Sequence, residues 1–327
     1  MKSNLTYAAG ILVAVTLLAA CGKNYSNEPG ADPSKLNSLF AELRPAPQIL
    51  IVTAGTAAQV TGTGGTALNF YPNSFKDANG HIITSGTVTL QLTEMYSTGD
   101  MIANRASTTA AGKILQSGGQ INLNASINGQ KVFANVYGVQ FRQQSASAAP
   151  MNIFYGANNN IDSVVTWKNG GDTSRAGSVA WGTTYYGGYD QYIFDSCTQF
   201  GWTNCDQFYN TDSPMTSVSV ILPGKTHTPS NTQIYLVLPD TKSVMSNAEP
   251  GLGGEAYNAT TNKMTLVSEG QIKIVPTGMN YKFVAISKIN GTYYYFQQAG
   301  VTSLDMKFKA TMATKTKAEV TALLKAL

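Results

Sequence analysis

Histidine is the scarcest chemistry-bearing residue: the 327-residue chain has two, His81 and His227. They lie in different halves of the chain, so a Ser-His-carboxylate site would need one of them to meet both partners through the fold. No Gly-x-Ser-x-Gly elbow and no His-Glu-x-x-His motif is present. His81 follows the Asn79-Gly80 turn and His227 sits in the Pro223–Asn231 loop, so both are read as exposed loop residues. Cysteine is almost as rare, with three residues. Two distant His and two Cys expected to be engaged with each other give no zinc set, and no metal or cofactor is expected. Charge is thin at 12% and the net value is +4, too mild to suggest nucleic acid or an electrostatic membrane patch. Gly251-Leu252-Gly253-Gly254-Glu255-Ala256 partly mimics a dinucleotide fingerprint, but it lacks the β-α-β setting that a phosphate needs. No apolar run reaches the ~20 residues of a membrane span. The longest is Ala8–Ala20, thirteen apolar or small residues.

That short run is itself informative. Lys2 precedes it and Leu18-Ala19-Ala20-Cys21 closes it, the layout of a secretory signal. Leu-Ala-Ala-Cys resembles the bacterial lipobox, and the resemblance implies cleavage before Cys21 and acylation of that residue. The expected address is the cell outer membrane, anchored by lipid: Gly22 and Lys23 follow, with no Asp at the position that signals inner-membrane retention. Removing the 20 residues ahead of Cys21 leaves 307, enough for two domains. Without Lys2 the mature chain has 21 basic and 18 acidic residues, or +3.

Cys197 and Cys205 remain, an even pair eight positions apart outside the cytoplasm, and a disulfide is expected. Closing so short a loop contributes about 2–3 kcal/mol in the chain-entropy account. The alternative is two buried thiols.

Gly22–Gly30 is an aperiodic polar tether. Asp32 and Pro33 then open a short helix carrying Leu36, Leu39, Phe40 and Leu43 on one face, and Pro45 stops it. From Gln48 the period becomes two. Val88, Leu90 and Leu92 alternate with Thr and Gln, and Ile121, Leu123, Ala125 and Ile127 alternate with Gln120, Asn122, Asn124 and Ser126. Such strands build antiparallel sheets with one wet face. A first β-sandwich is expected over 48–145 and an aromatic, Gly-rich connecting region over 146–214. A second sandwich is expected over 215–327, with inner faces Val218/Val220/Leu222, Ile234/Leu236/Leu238 and Leu304/Met306/Phe308/Ala310. Thr316-x-x-Glu319 caps a closing helix with the stripe Val320, Leu323, Leu324 and Leu327. The fold class is therefore mainly β: two antiparallel sandwiches with short helices at the N-terminal linker and the C-terminus.

Asn69-Phe70-Tyr71-Pro72-Asn73-Ser74-Phe75, Asp77-Ala78-Asn79-Gly80 and Gly86-Thr87-Val88-Thr89-Leu90 resemble the β-sandwich module of ankyrins and netrin receptors. Glu94-Met95, Asp100-Met101-Ile102, Leu115-Gln116-Ser117-Gly118-Gly119 and Phe200-Gly201-Trp202-Thr203-Asn204-Cys205-Asp206-Gln207-Phe208 are similar to segments of cell-envelope lipoproteins of Bacteroidota carrying such a module. The resemblance implies a fold and an address, and no reaction.

Two features bear on ligands. Trp181, Tyr185, Tyr186, Tyr189 and Tyr192, with Trp202 farther on, form an aromatic belt that reads either as core filling or as a sugar-stacking platform. Asp190, Asp195, Asp206 and Asp212 could supply a glycosidase pair, but Asp equally often caps turns, and the spacing sets no hydrolytic distance. The expectation is a non-catalytic envelope protein that binds or scaffolds, with membrane lipid as partner through Cys21 and a glycan or an envelope protein as candidate ligand. Glycan capture for polysaccharide uptake and an Asp-pair hydrolase are the alternatives.

Overall fold

The computed structural model describes residues 33–142, 151–156, 165, 167–170, 178–181, 189–246, 256–268 and 271–327. The signal segment, Cys21 and the tether lie outside the described residues. The architecture is mainly β, with several sheets and, among the described residues, three α-helices: α1 (Pro33–Leu43), α2 (Thr98–Ala103) and α3 (Lys317–Lys325).

In the first half one sheet runs Gln48–Thr53, Thr87–Met95, Lys113–Ile127, Gly201–Phe208, Asn152–Gly156, Trp167–Asn169 in spatial order, antiparallel throughout. The facing sheet runs Ser178–Trp181, Tyr189–Cys197, Tyr137–Arg142, Ala67–Phe70, Ala58–Thr61. The alternating positions Val88, Leu90, Leu92, Ile121 and Leu123 enter the core between them and meet Leu68, Phe70, Val139 and Phe141. Asn128 and Gly129, both at positive φ, form the two-residue turn from Lys113–Ile127 into Gln130–Ala134, the backbone such hairpins need.

The expected boundary between sandwich and connecting region is not where the sheets divide. Residues 152–156, 167–169 and 201–208 form three strands of the first sheet, and 178–181 with 189–197 form the edge of the second. Their alternation is hard to read because Gly201–Phe208 buries polar Thr203, Asn204 and Asp206 beside Trp202 and Cys205.

In the second half, Ser243–Ser246, Thr232–Leu238, Asn280–Ile289, Thr292–Val301 and Ala313–Lys315 make one sheet. Tyr257–Asn258, Lys263–Thr265, Val218–Ile221 and Met306–Lys309 make its partner. The last two strands of the partner run parallel. Val218, Val220, Leu222, Ile234, Leu236, Leu238, Met306, Phe308 and Ala310 share one core, as their alternation implies. Leu304 does not join them and is exposed, because Asp305 at φ 51° breaks the alternation before the strand begins.

A third core lies between the halves. Tyr235, Val237, Val284, Ile286, Tyr293 and Tyr295 cover the outer face of the second half's larger sheet, and Met95, Leu115, Phe154, Trp167 and Trp202 come from the first half. All three helices are packed into this layer. α1 contributes Leu36, Leu39, Phe40 and Leu43, α2 contributes Met101, Ile102 and Ala103, and α3 contributes Val320 and Leu324. Both expected helices are present, and the capping box of Thr316 and Glu319 is formed. α2 was not foreseen; its own box joins Ser97 and Asp100. α2 and α3 touch backbone to backbone at Gly99, where an added Cβ would stand 1.9 Å from the Leu324 carbonyl oxygen. The Lys282 ammonium donates to the terminal carbonyls of Ala326 and Leu327 and fixes the end of α3.

Phe40 is fully buried, edge-on to Tyr235 at 6.3 Å and beneath the Arg105 guanidinium at 5.5 Å. Phe40→Ala is expected to lower unfolding stability by about 3–5 kcal/mol, read from urea melts of the chain. A loss under about 1 kcal/mol would mean that α1 is not part of the folded body.

Candidate functional site

The residues singled out in the sequence do not gather in one place. His81 is exposed as expected, with Nδ1 3.2 Å from Asp77 Oδ2. His227 is not: it is 5% exposed, its Nδ1 lies 2.7 Å from the Ser287 hydroxyl, and its ring stands edge-on to Tyr294 at 5.1 Å. Burial lowers its pKa. The loop folds inward because Asn231 bonds back to the Thr226 carbonyl and the Thr228 amide. Ser287 is fully buried, so this Ser-His contact is a packing bond without access for a substrate.

Cys197 and Cys205 are not disulfide-bonded. Cys197 ends a strand of one sheet, Cys205 lies in the facing sheet, and both enter the first core. Burial pushes the Cys205 thiol well up, with Asp206 and Cys197 adding to the effect.

The aromatic belt divides. Tyr192 is fully buried in the first core and Trp202 is 2% exposed in the core between the halves, edge-on to Trp167 at 6.4 Å. These two are interior residues and not a platform. Trp181 pairs in register with Tyr189 at the sheet edge, while their side chains, and Tyr185 and Tyr186 entirely, lie outside the described residues. Of the four acids, Asp195 and Asp212 are exposed, Asp206 is fully buried, and the side chain of Asp190 is outside the described residues. They form no pair. Among the described residues there is no cluster of three or more His, Cys, Asp or Glu, and no helix is long and apolar enough to cross a membrane.

The structure instead gathers a polar seam that the sequence did not reveal, because its members occupy positions that alternation assigns to a wet face. Asn204 lies directly across from Gln120, Trp202 from Asn122, and Asp206 from Ser117. All six are buried. The Gln120 amide donates to the Ser107 carbonyl at 3.3 Å, and the Trp167 indole N–H donates to the same oxygen. Asn204 and Asp206 Oδ2 are in contact at 2.6 Å. The next residue, Thr108, clasps the other half: its amide donates to the Val244 carbonyl at 2.7 Å, and the Val244 amide donates to its hydroxyl at 2.7 Å. The Ser243 hydroxyl donates to the Leu115 carbonyl at 2.6 Å. Burial pushes the Asp206 carboxyl up to about 8, against the lowering influence of the Ser117 hydroxyl, Asn204 and the Gly118 amide. Some polar atoms here are unpartnered: Gln120 Oε1, Asn204 Oδ1, Asp206 Oδ1 and Trp202 Nε1. Buried polar groups are costly unless satisfied, so the Thr108–Val244 and Ser243–Leu115 bonds fix one docking of the halves. The seam is closed to solvent and offers no surface to a substrate.

Two outcomes check this placement. Trp202→Ala is expected to cost about 3–5 kcal/mol of stability, as removal of a buried indole does; unchanged melting would return Trp202 to the surface. In the Cys21→Ser chain, a thiol reagent is expected to find Cys197 and Cys205 unreactive when folded and both reactive in denaturant without reductant. Reaction only after reduction would establish the bond that the structure lacks.

No family model, curated protein or solved structure matches the chain.

Proposed function

We propose that the chain is a lipid-anchored protein of the cell envelope, held at the outer membrane by acylated Cys21, whose double-sandwich body binds or scaffolds another envelope component without catalysing a reaction. The observation that carries this reading is the way the anchor's root is built into the body. α1 buries Leu36, Leu39, Phe40 and Leu43 in the core between the halves. From its exposed side Glu42 bonds both the Lys288 ammonium and the Tyr293 hydroxyl. The Lys288 bond and then the Tyr293 bond hold the Glu42 carboxyl below its usual range. A helix fixed to both halves transmits the tether's pull to the whole body. The twelve residues 21–32 span at most about 40 Å when fully extended, so the body stays close to the lipid surface. Each buried CH₂ of the acyl chains contributes ~0.8 kcal/mol to anchorage.

A glycan-binding reading keeps one support: the Trp181 strand is the outermost of its sheet, with Tyr189 beside it in register. It now rests on Trp181, Tyr185, Tyr186 and Tyr189, since Tyr192 and Trp202 are interior. The hydrolase reading loses Asp206 to the seam.

The test is metabolic labelling of expressing cells with an alkyne fatty acid, followed by fractionation and proteinase treatment of intact cells. Label on the native chain and its membrane association are both expected to vanish in Cys21→Ala. A soluble, unlabelled native chain would overturn the reading. Cleavage of the body on unbroken cells would direct the ligand search to external glycans, and protection would direct it to periplasmic partners.

A further inference from the structure

The mild net charge of the chain conceals a division. Residues 21–214 hold 10 basic and 12 acidic residues, a balance of −2, whereas residues 215–327 hold 11 basic and 6 acidic, a balance of +5. Every one of those eleven cations is a lysine. Several are engaged by the fold. Lys288 pairs with Glu42 and Lys315 with Glu319. Lys282 donates to the last carbonyls of α3, and Lys225 to the carbonyls of Ala259 and Thr260. Lys263, Lys307 and Lys309 have no ion-pair or hydrogen-bond partner among the described residues.

The smaller sheet of the second half brings these three together. Met264, Val220 and Phe308 enter the second core, so their neighbours along each strand lie on the outer face. In register across that face stand Asn258, Lys263, Ile221 and Lys309. Two residues along, Lys307 lies across from Ser219 on the same face. Strands about 4.8 Å apart put the roots of Lys263 and Lys309 about 10 Å from each other, and Lys307 and Lys309 are about 7 Å apart along one strand. Lys307 and Lys309 are exposed, Lys263 is half-buried, and Ile221 between them is 43% exposed. Like charges this close repel one another, and no acid shares the rows. Elsewhere in this half Asp240 accepts from Asn280, and Glu319 caps α3. Asp305 precedes the strand on left-handed backbone and forms no ion pair among the described residues.

The chemistry of the face selects its partner. A single bound carboxylate or phosphate is best held by the planar fork of Arg, and a sugar by rings and amides. This face offers three flexible point charges around an aliphatic side chain, with no Arg and no ring. Such a set matches a plane of many anions into which an apolar group can dip. We propose that the face of Lys263, Lys307, Lys309 and Ile221 docks on the phosphate headgroups of an anionic bilayer, as a second contact that lays the body against the membrane. Only the body's nearness to that membrane rests on the reading of Cys21 as the anchor; the binding itself does not. The smaller sheet packs about 10 Å behind the larger one, whose other face carries α1, and a tether reaching about 40 Å exceeds that depth.

The experiment is vesicle sedimentation of the full mature chain carrying Cys21→Ser, so that no acyl group contributes. At low salt the chain is expected to sediment with vesicles of phosphatidylethanolamine and phosphatidylglycerol and to stay in solution with phosphatidylcholine alone. Salt at about 0.5 M, where screening acts within a few Å, is expected to release it. Lys263→Gln, Lys307→Gln and Lys309→Gln together are expected to lower the partition coefficient about 100-fold, at roughly fivefold per lysine. The charge-matched set Lys76→Gln, Lys131→Gln and Lys168→Gln, in the first half, is expected to bind no worse than about twofold below the parent chain. No sedimentation with the anionic vesicles overturns the proposal, and so does an equal loss in both sets, which would make total charge the cause. Binding to soluble polygalacturonate but not to vesicles overturns it in favour of an acidic glycan. An amine-reactive label needs no lysine variant: vesicles are expected to protect Lys263, Lys307 and Lys309, and unchanged labelling of all three overturns the assignment. Because this chain is never acylated, failure here leaves the anchor at Cys21 standing, and failure of the fatty-acid labelling leaves this result standing.

Discussion

Everything in this fold depends on a sheet that is apolar on both faces. In Thr232–Leu238 every residue is buried: Ile234, Leu236 and Leu238 fill the second sandwich, while Tyr235 and Val237 point the other way. Asn280–Ile289 repeats the arrangement, with Phe283 and Ala285 inside and Val284 and Ile286 outside. An antiparallel sheet with one wet face needs a single core; this one needs a cover. The first half and the three helices supply it, and the two sandwiches thereby become one body. α1, α2 and α3 come from three separate parts of the chain, yet all bury their apolar faces in the same layer. The helices are short, too short to be stable in isolation, and the layer between the halves is what holds them.

The seam polarises that layer. An all-apolar interface would tolerate sliding, because apolar contact is not directional. Thr108 bonding Val244 through backbone and hydroxyl, and Ser243 bonding the Leu115 carbonyl, permit one register. Misplacing the halves by a residue would leave these groups unbonded in the interior, at about 1–3 kcal/mol each. These bonded polar groups therefore select the arrangement that the apolar members stabilise.

The parts of this fold that were legible in the sequence are those in which one local rule decides. Strict alternation placed Val88–Leu92, Ile121–Leu123 and Val218–Leu222 in the right cores, and the capping box of Thr316 and Glu319 placed α3. The pattern also fixed the apolar face of α1, although not that it would be covered by the other half of the chain. Illegible parts were those in which tertiary contact reverses a local rule. Gln120 and Asn122 obey the alternation of a wet face, yet both are buried, Gln120 with its amide on the Ser107 carbonyl. His227 has the loop context of an exposed residue, and Asn231 folds it inward onto Ser287. Cys197 and Cys205 are close in sequence and stand on opposite sheets, a separation that spacing alone does not express.

The same reversal bears on how a ligand would have to be bound. The aromatic residues that a sequence offers as a flat platform are also the largest fillers available to a sandwich core, and here Tyr192, Trp167 and Trp202 have been used as filling. Their energy is committed to holding the sheets, so it cannot also be given to a sugar. The second half contributes no open cleft of reacting groups from the residues named here, since its His and Ser meet in the interior. What the surface does present is strand edge and strand face: Gln48–Thr53 forms the margin of the large sheet, with Ile49 and Ile51 more than half exposed and no charge along its length. An uncharged edge with a continuous register is suited to pairing with another extended chain. It follows directly on α1. The buried layer between the halves keeps the geometry of such margins constant.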